Sequence, residues 1–393
     1  MIFRKDYWGK CTLNKCSSFI RGVTYSNRDE VDVNGHCILR ANNISLDNKV
    51  NLDDIKHISS KLKLSEEKRL KKNDILICTA SGSVDHIGKV AFFEEDSHYF
   101  AGGFMGIVRA NSDIIIPYFL YSVFLIPIFV KLLKSQRAGT NIQNLKFSDI
   151  ENNEIPLPPL EEQTQIVALF QSIDSAIEQV EEQEQRLKEL RKSLSNGLLS
   201  NEPIFGKLLI KENYSIVKFS NFTESIEKHD KNKKDEHRFV GLENIEPEDF
   251  TIKTWGNIED GTTFTKRFQK GDVLFGKRRA YLKKVAVADF DGICSSDILV
   301  LRAKQDKMIP ELLPFYISAE PFIQYAVSTS AGSLSPRTKW KDLGELEVAI
   351  PDLETQKKIL TVMQNVESTR ILLDVQKSNL KKLKQQLLNE ILG

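Results

Sequence analysis

The stretch IPLPPLEEQTQIVALF, residues 155–170, decides the fold because it returns as VAIPDLETQKKILTVM, residues 348–363. The two stretches are offset by 193 residues, the difference between positions 155 and 348. Further upstream the offset grows to 198, where NDIL at residues 73–76 aligns with GDVL at residues 271–274. A change of offset reflects a difference in loop length. Self-similarity on this scale indicates a duplicated unit. We therefore expect two copies of a globular domain, each followed by a helix.

The repeated stretch opens a long helix in each copy. Proline precedes it and acidic residues fill its first turn, as is typical of a helix N-terminus. Apolar residues then follow the four-and-three spacing of a coiled-coil seam. The seam residues are Ile166, Phe170, Ile173, Ile177, Val180, Leu187 and Leu194 in the first copy, and Ile359, Met363, Val366, Leu373, Leu380 and Leu387 in the second. A lone helix would expose this stripe, so the two helices should pair. Because a globular domain must be accommodated at each end, we predict that residues 158–200 and 351–393 form an antiparallel coiled coil.

The remaining segments, residues 1–157 and 203–350, are predicted to be globular domains of α+β class. Short β-rich runs such as ILIC at residues 75–78 alternate with helical segments. Residues 114–130 are almost wholly apolar and approach the length of a membrane span. Pro117 and Pro127 interrupt this run, so we expect a buried helix pair broken at proline, with no contact to a membrane.

Charge and cysteine content narrow the class of protein. The net charge is only +1, but residues 266–284 hold eight basic residues against the single acid Asp272. A local basic surface matters more for nucleic-acid binding than the total charge. The five cysteines form no C-x-x-C pair, which favours reduced thiols. The first residues lack the apolar core of a signal peptide, and we expect a cytoplasmic protein.

With the repeat and its paired helices established, the whole chain resembles the specificity subunit of type I restriction-modification enzymes. The resemblance is carried by PLPPLEEQ at residues 156–163 and IPDLETQ at residues 350–356, each with its helix. In the second domain it is also carried by KGDVLFGKR at residues 270–278 and SAGSLSPR at residues 330–337. The first domain departs from the pattern, since CTASGS at residues 78–83 stands where the second domain has its basic run. This difference suggests that the two domains read different sequences.

The resemblance implies a set of partners. Each domain would read one half of a split site on double-stranded DNA, and the helix pair would fix the separation of the half-sites. The helices would dock two adenine methyltransferase subunits, which carry S-adenosylmethionine. Motor-nuclease subunits, driven by ATP and Mg²⁺, would join for restriction. No cofactor is expected on this chain itself.

Candidate DNA contacts are polar and basic residues near the basic run and near the glycine-containing turn before each long helix. Arginine forks suit guanine edges and phosphates, and turn amides suit phosphates. The candidates are Lys277, Arg278, Arg279, Tyr281, Lys283, Gly332, Ser333, Arg337 and Lys339 in the second domain, and Ser81, Ser83, Lys89, Thr140, Asn141, Asn144 and Lys146 in the first. A merely solvated loop, or a turn that only ends a helix, explains the same residues.

The sequence offers no catalytic or metal-binding residues to assign. An N-P-P-[FYW] tetrapeptide of adenine methyltransferases is absent, and residues 82–89 lack the spacing of a phosphate loop. The histidines have no ligand spacing. We therefore predict a noncatalytic DNA-recognition subunit. The alternatives are a structural coiled-coil adaptor whose globular domains bind protein, and a standalone enzyme with an unrecognised active site.

Overall fold

The computed structural model describes residue 3 and residues 5–135, 143–199, 214–232 and 236–393 of the chain. The chain divides into two compact units. Unit 1 comprises Met1–Gln179 and Gln376–Gly393, and unit 2 comprises Val180–Val375. Each unit therefore combines one globular domain with half of each long helix.

Unit 1 is built mainly from short strands. They are β1 (Gly9–Thr12), β2 (Ser17–Arg21), β3 (Glu30–Val31), β4 (His36–Leu39), β5 (Lys56–Ile58), β6 (Asp74–Cys78), β7 (Ala80–Ser81), β8 (Val90–Phe92), β9 (Tyr99–Ala101), β10 (Met105–Ala110), β11 (Gln143–Asn144) and β12 (Glu154–Leu157). The helices are α1 (Leu13–Cys16), α2 (Pro117–Phe124), α3 (Pro127–Ser135), α4 (Phe147–Glu151) and α5 (Leu160–Leu198), whose second half belongs to unit 2. The main sheet has the order β2-β10-β6-β8 and is antiparallel throughout. A second sheet, β3-β5-β4-β9, contains one parallel pair.

Unit 2 repeats this plan. Its strands are β13 (Tyr214–Lys218), β14 (Thr223–Ser225), β15 (Arg238–Val240), β16 (Gly256–Asn257), β17 (Lys266–Phe268), β18 (Val273–Gly276), β19 (Val285–Val287), β20 (Gly292–Cys294), β21 (Ile298–Ala303) and β22 (Glu347–Pro351). Its helices are α6 (Leu313–Ser318), α7 (Glu320–Ser328), α8 (Trp340–Leu343) and α9 (Leu353–Leu392), whose second half belongs to unit 1. The antiparallel sheet β14-β21-β18-β19 corresponds to the main sheet of unit 1, and β16-β15-β20-β17 again contains one parallel pair. These strands and helices confirm the predicted α+β class.

A buried glutamine explains why the same motif precedes both long helices. Gln163 is fully buried; its side-chain oxygen accepts a hydrogen bond from the backbone N–H of Ile116 at 2.8 Å, and its amide donates to two backbone carbonyls. Gln356 makes the same three bonds, with the N–H of Ile309 at 2.9 Å. A buried amide satisfied in this way fixes the start of the long helix against the broken helix pair before it.

The apolar segment of unit 1 forms the predicted helix pair. α2 and α3 begin at Pro117 and Pro127, and every side chain from Tyr118 to Phe124 is buried in the core. Among the described residues, no single helix is long and apolar enough to span a membrane. Taken together, α2 and α3 reach the necessary length and composition, but they are bent by 66° at the break between them.

The predicted apolar residues of the coiled-coil seam are buried in both units, apart from three half-buried leucines, Leu187, Leu380 and Leu387. In unit 1 the first half of α5 packs in one core with the last turns of α9, where Ile166 and Phe170 share a cluster with Leu388 and Ile391. In unit 2 the end of α5 packs with the start of α9 in the same sense. The start of one helix meets the end of the other in each unit, which confirms the antiparallel pairing.

In each unit, an ion pair between described residues also crosses the two long helices. In unit 1 the ammonium group of Lys384 donates to both carboxylate oxygens of Asp174, at 2.5 and 2.7 Å. In unit 2 Arg191 donates to Glu367 at 3.2 Å. Asp174 corresponds to Glu367 and Arg191 to Lys384 at the 193-residue offset. The two ion pairs therefore occupy equivalent positions of the repeat. The two helices pair in the same register in both units.

Candidate nucleic-acid interface

In unit 2 the basic run after β18 lies beside the glycine-containing turn. Arg278 and Arg337 are opposite each other in an antiparallel bridge. The backbone N–H of Thr338 donates to the carbonyl of Lys277 at 3.1 Å, and the N–H of Arg279 donates to the carbonyl of Pro336 at 2.8 Å. Two segments that are about sixty residues apart in sequence thus form one short ladder. We call it the unit 2 ladder: residues 277–279 with residues 337–338.

The turn itself is a tight hairpin that projects from the domain. Ala331 and Arg337 exchange two backbone hydrogen bonds of 3.0 Å. Gly332 has φ of +111°, a conformation that favours glycine. Ser333 is exposed, and Leu334 at the tip is 89% exposed. The glycine is needed to close this hairpin, and the serine is presented to solvent beside the unit 2 ladder.

The two opposed arginines share one carboxylate. Asp297, just before β21, accepts hydrogen bonds from Arg337 at 2.7 and 3.3 Å and from Arg278 at 3.4 Å. The hydrogen bond from Arg337 is the main reason that the pKa of Asp297 lies below its usual value. Burial lowers the pKa of the neighbouring Lys277 ammonium. The surface therefore combines several cationic side chains with one carboxylate, that of Asp297, which accepts hydrogen bonds from two of them.

The other unit 2 candidates differ in how available they are. Arg279 is exposed in a left-handed conformation with φ of +54°, and its guanidinium reaches the carbonyl of Leu334 at 3.4 Å. Tyr281 is 52% exposed, and Lys339 is exposed directly before α8. Lys283 is already paired with Glu320 at 2.6 Å. The side chains of Arg279, Tyr281 and Lys339 are therefore exposed to solvent. The charge of Lys283, by contrast, is partly neutralised by Glu320.

Unit 1 contains the same ladder with different side chains. Asn144 pairs with Ala80, and Gln143 pairs with Ser81. The backbone N–H of Leu145 donates to the carbonyl of Thr79 at 2.8 Å, as Thr338 does to Lys277 in unit 2. We call residues 79–81 with residues 143–145 the unit 1 ladder. Its residues are all uncharged, whereas those of the unit 2 ladder are mostly basic.

The remaining unit 1 candidates lie around this ladder, with one exception. Ser83, Asn144 and Lys146 are exposed, and Lys146 directly precedes α4 as Lys339 precedes α8. Lys89 is the exception: it is only 7% exposed and its ammonium donates to the backbone carbonyls of Ala41 and Ile44. The prediction that Lys89 contacts DNA is wrong for this structure, because its charge is satisfied inside the domain.

Two candidates, Thr140 and Asn141, lie outside the described residues. Their contribution to DNA contact therefore stays a prediction.

Among the described residues, no group of three or more His, Cys, Asp or Glu side chains could hold a metal ion.

Sequence reasoning missed two residues at the centre of these surfaces. Asp297 binds the arginines of unit 2, and its backbone carbonyl accepts from the N–H of Lys277 at 3.0 Å. Phe104 stands at the repeat-equivalent position in unit 1, where its carbonyl accepts from the N–H of Thr79 at 3.0 Å and its ring is 61% exposed. The 193-residue offset, extended to positions 104 and 297, was the signal that could have found both.

Both ladders fall within regions that match a known family. Residues 18–189 and 211–382 each match the model described as "Type I restriction modification DNA specificity domain". The two matches cover most of the chain. The chain belongs to this family. It contains two specificity domains, and each domain includes one ladder.

Individual relatives agree with this assignment. The chain is 24% identical to the EcoKI specificity subunit of Escherichia coli strain K12 over 379 residues, covering 90% of this chain and 80% of that one. It is 25% identical to a putative MjaX specificity subunit of Methanocaldococcus jannaschii over 388 residues, covering 93% and 88%. The match to the EcoDI specificity subunit of E. coli is 27% identical and spans 59% of each chain.

Solved structures share the fold. The S subunit of a type I restriction-modification system from M. genitalium superposes with a TM-score of 0.57 at 13% identity, covering 98% of this chain and 96% of that one. A chain from a study of assembly and conformational transition of the type I system gives the same TM-score at 18% identity, covering 98% and 97%. These two structures therefore share the fold of this chain over nearly its whole length.

Proposed function

We propose that this chain is a noncatalytic specificity subunit that binds a bipartite, asymmetric DNA site, with one half-site read by each unit. One observation carries the proposal: two repeat-equivalent ladders share a backbone hydrogen-bond pattern and differ in their side chains. A duplicated scaffold with divergent exposed side chains is what reading two different half-sites requires, because base identity is read by side chains at groove edges.

The two ladders suit different base-pair edges. In unit 2 the arginines and Lys277 offer forks and point charges for guanine edges and phosphates. In unit 1 the side-chain amide of Asn144 can pair with an adenine edge, and the exposed ring of Phe104 offers apolar contact to a thymine methyl group. We therefore propose that the two half-sites have different sequences.

The same proposal assigns partners to the long helices. In the part of unit 2 that the structure describes, one face of α9 exposes three apolar residues: Ile371, Leu372 at 67% exposure, and Val375. Exposed apolar faces of this kind mark protein interaction sites. We propose that this face helps to dock one of two adenine methyltransferase subunits, with motor-nuclease subunits joining the complex. S-adenosylmethionine, ATP and Mg²⁺ would be bound by these partners, and the methyltransferase would flip the target adenine.

DNA binding by the purified chain tests the first part. Affinity for a duplex that carries the target should fall by orders of magnitude between low and moderate salt, because bound cations release counterions from DNA. Replacing Lys277, Arg278 and Arg279 together by alanine should weaken binding without lowering the melting temperature. The matched control removes three exposed charges of unit 2 away from the ladder, Lys307→Ala, Lys357→Ala and Lys358→Ala. Undetectable, salt-independent or unaltered binding would favour the coiled-coil adaptor.

Copurification tests the second part. Leu372→Asp together with Val375→Asp should abolish recovery of the adenine methyltransferase with the chain, because a charge cannot be buried unpaired in an apolar contact. Thr361→Asp, an exposed position about three turns earlier on α9, is the control and should leave recovery unchanged. Equal recovery with both variants would remove this face from the docking surface.

A further inference from the structure

Asp297 lies where the two sides of the unit 2 ladder meet. Its carboxylate accepts two hydrogen bonds from Arg337 and a longer one from Arg278, while its backbone carbonyl holds the N–H of Lys277. Ser335 completes the network, since its hydroxyl accepts from Arg278 at 3.2 Å and its carbonyl accepts from Arg337 at 3.3 Å. One acid therefore ties together cations from two segments that are distant in sequence.

The charges explain why an acid is placed there. Arg278 and Arg337 are directly opposed on the ladder, and like charges opposed across strands repel. A shared carboxylate offsets this repulsion and restricts both guanidinium groups to one arrangement. The same carboxylate carries a cost for DNA binding, because a negative charge beside the ladder repels phosphates.

The backbone of the ladder does not require this acid. In unit 1 the equivalent position is Phe104, and its carbonyl makes the equivalent hydrogen bond to the N–H of Thr79. The ladder therefore forms with a phenylalanine in one unit and an aspartate in the other. The side chain of Asp297 must serve the arginines rather than the strand pairing.

We infer that Asp297 is a positioning residue for DNA readout: it holds the guanidinium groups of Arg278 and Arg337 in a preorganised arrangement that discriminates between bases, at the expense of affinity for DNA of any sequence. The inference rests on the proposed function of unit 2. Preorganised side chains lose less conformational freedom on binding, and their fixed geometry penalises a base whose edge does not fit. Free arginines would instead follow phosphates on any duplex.

The test uses the full chain coexpressed with the host's adenine methyltransferase, and it compares Asp297→Asn with the wild type. Mapping of N6-methyladenine gives the methylated motif, and binding of a random-sequence duplex gives the nonspecific affinity. Asp297→Asn should relax the unit 2 half of the motif by at least about fivefold in discrimination at one position. It should also raise the nonspecific affinity, while the unit 1 half of the motif stays unchanged.

Two further variants separate positioning from a general effect of charge or folding. Asp289→Asn removes an exposed acid of unit 2 that is not in the network, and it should leave the motif unchanged. Asp297→Glu keeps the carboxylate and should recover part of the discrimination lost in Asp297→Asn. Each variant is expected to fold, with only a small change in melting temperature, since Phe104 shows that the ladder forms without the acid.

The outcomes distinguish the two proposals. A split wild-type motif that Asp297→Asn leaves intact in both halves would overturn the role of Asp297 and leave the proposed function standing. Equal relaxation of the motif by Asp289→Asn would also overturn that role, because the effect would then follow from charge alone. A wild type that directs no methylation would overturn both proposals.

Discussion

The two ladders have the same backbone hydrogen bonds but different side chains, which are uncharged in unit 1 and mostly basic in unit 2. This contrast shows which parts of the duplicated domain have diverged. At the position that packs against the ladder, unit 1 presents the exposed ring of Phe104 and unit 2 the carboxylate of Asp297. An ion pair of a buried aspartate, found at equivalent positions in the two units, did not diverge in this way. Asp74 pairs with Arg109 at 2.7 Å in unit 1, and Asp272 pairs with Arg302 at 2.6 Å in unit 2. Side chains that hold the fold are duplicated, whereas those that face outward differ.

The helix-crossing ion pairs show an intermediate case. Asp174–Lys384 in unit 1 is joined by the hydroxyl of Tyr118, whose pKa is raised chiefly by burial. Arg191 in unit 2 is more deeply buried than Lys384 and also lies over the ring of Phe250, 4.9 Å from its centroid. The positions are equivalent, but the surroundings have diverged. Substitutions at equivalent positions of the two units, from buried to exposed, can therefore test the comparison between the units.

The largest effect is expected for the helix-crossing cations. Arg191→Met should lower the free energy of unfolding of the full chain by about 3 kcal/mol, because it removes two charge-assisted hydrogen bonds, to Glu367 and to the carbonyl of Glu248, and the contact over the ring of Phe250. Glu367 keeps Arg370 as a partner at 2.7 Å. Lys384→Met should cost less, since Lys384 and Asp174 are more exposed than their unit 2 counterparts. Chemical denaturation of both variants checks the order. A larger loss for Lys384→Met would contradict the comparison.

The next effect concerns the duplicated glutamines. Gln163→Leu and Gln356→Leu should each cost about 2 kcal/mol or more, because each removes three hydrogen bonds and leaves a partly buried backbone N–H without an acceptor. The two losses should agree within about 1 kcal/mol, since both side chains make the same three hydrogen bonds. Denaturant titrations measure them. Clearly unequal losses would show that the two supports are not equivalent.

A smaller effect is expected where the ladders diverge. Arg279→Ala should weaken binding of the target duplex by about tenfold, within the range for one arginine contact to a base edge. Ser81→Ala, the repeat-equivalent change, should alter affinity by less than about threefold, because a serine hydroxyl is uncharged and gains little from phosphates. Fluorescence anisotropy at fixed salt gives both values. Equal losses would mean that the ladders contribute alike despite their side chains.

The smallest effect concerns pH. The pKa of Asp297 is lowered in the folded chain, so its ionised form contributes stability that is present above its unfolded pKa, about 3.9. That contribution is lost as the pH falls through the folded value. The difference in melting temperature between the wild type and Asp297→Asn should therefore shrink between pH 5 and pH 3. The difference between the wild type and Phe104→Ala should not change in that interval, because Phe104 does not titrate.

Much of this architecture could be predicted from the sequence, because the signals are local and repeated. The 193-residue offset identified the duplication, and the heptad spacing from Ile166 onward identified the two helices. Their antiparallel pairing followed from the need to accommodate a globular domain at each end of the pair. The candidate surface of unit 2 was also visible, since Lys277, Arg278 and Arg279 are adjacent in the chain. A basic run or a periodic stripe needs no knowledge of distant contacts.

What the sequence could not provide depended on contacts between distant strands. Asp297 binds arginines 19 and 40 residues away, so its role appears only once the strands are assembled. In the sequence Phe104 looks like an ordinary apolar residue, and only the structure shows that its ring is exposed. Lys89 was misassigned for the converse reason, because a lysine that donates to two backbone carbonyls has the same sequence appearance as a surface lysine.

The most direct test of the proposed function is a genome-wide map of N6-methyladenine in cells that express the host's adenine methyltransferase with or without this chain. We predict methylation at a split, asymmetric motif that depends on the chain. In that map, alanine at Lys277, Arg278 and Arg279 should degrade one half of the motif and spare the other. Methylation that is unchanged when the chain is omitted, or absent despite a stable complex, would contradict the claim that its two units read DNA.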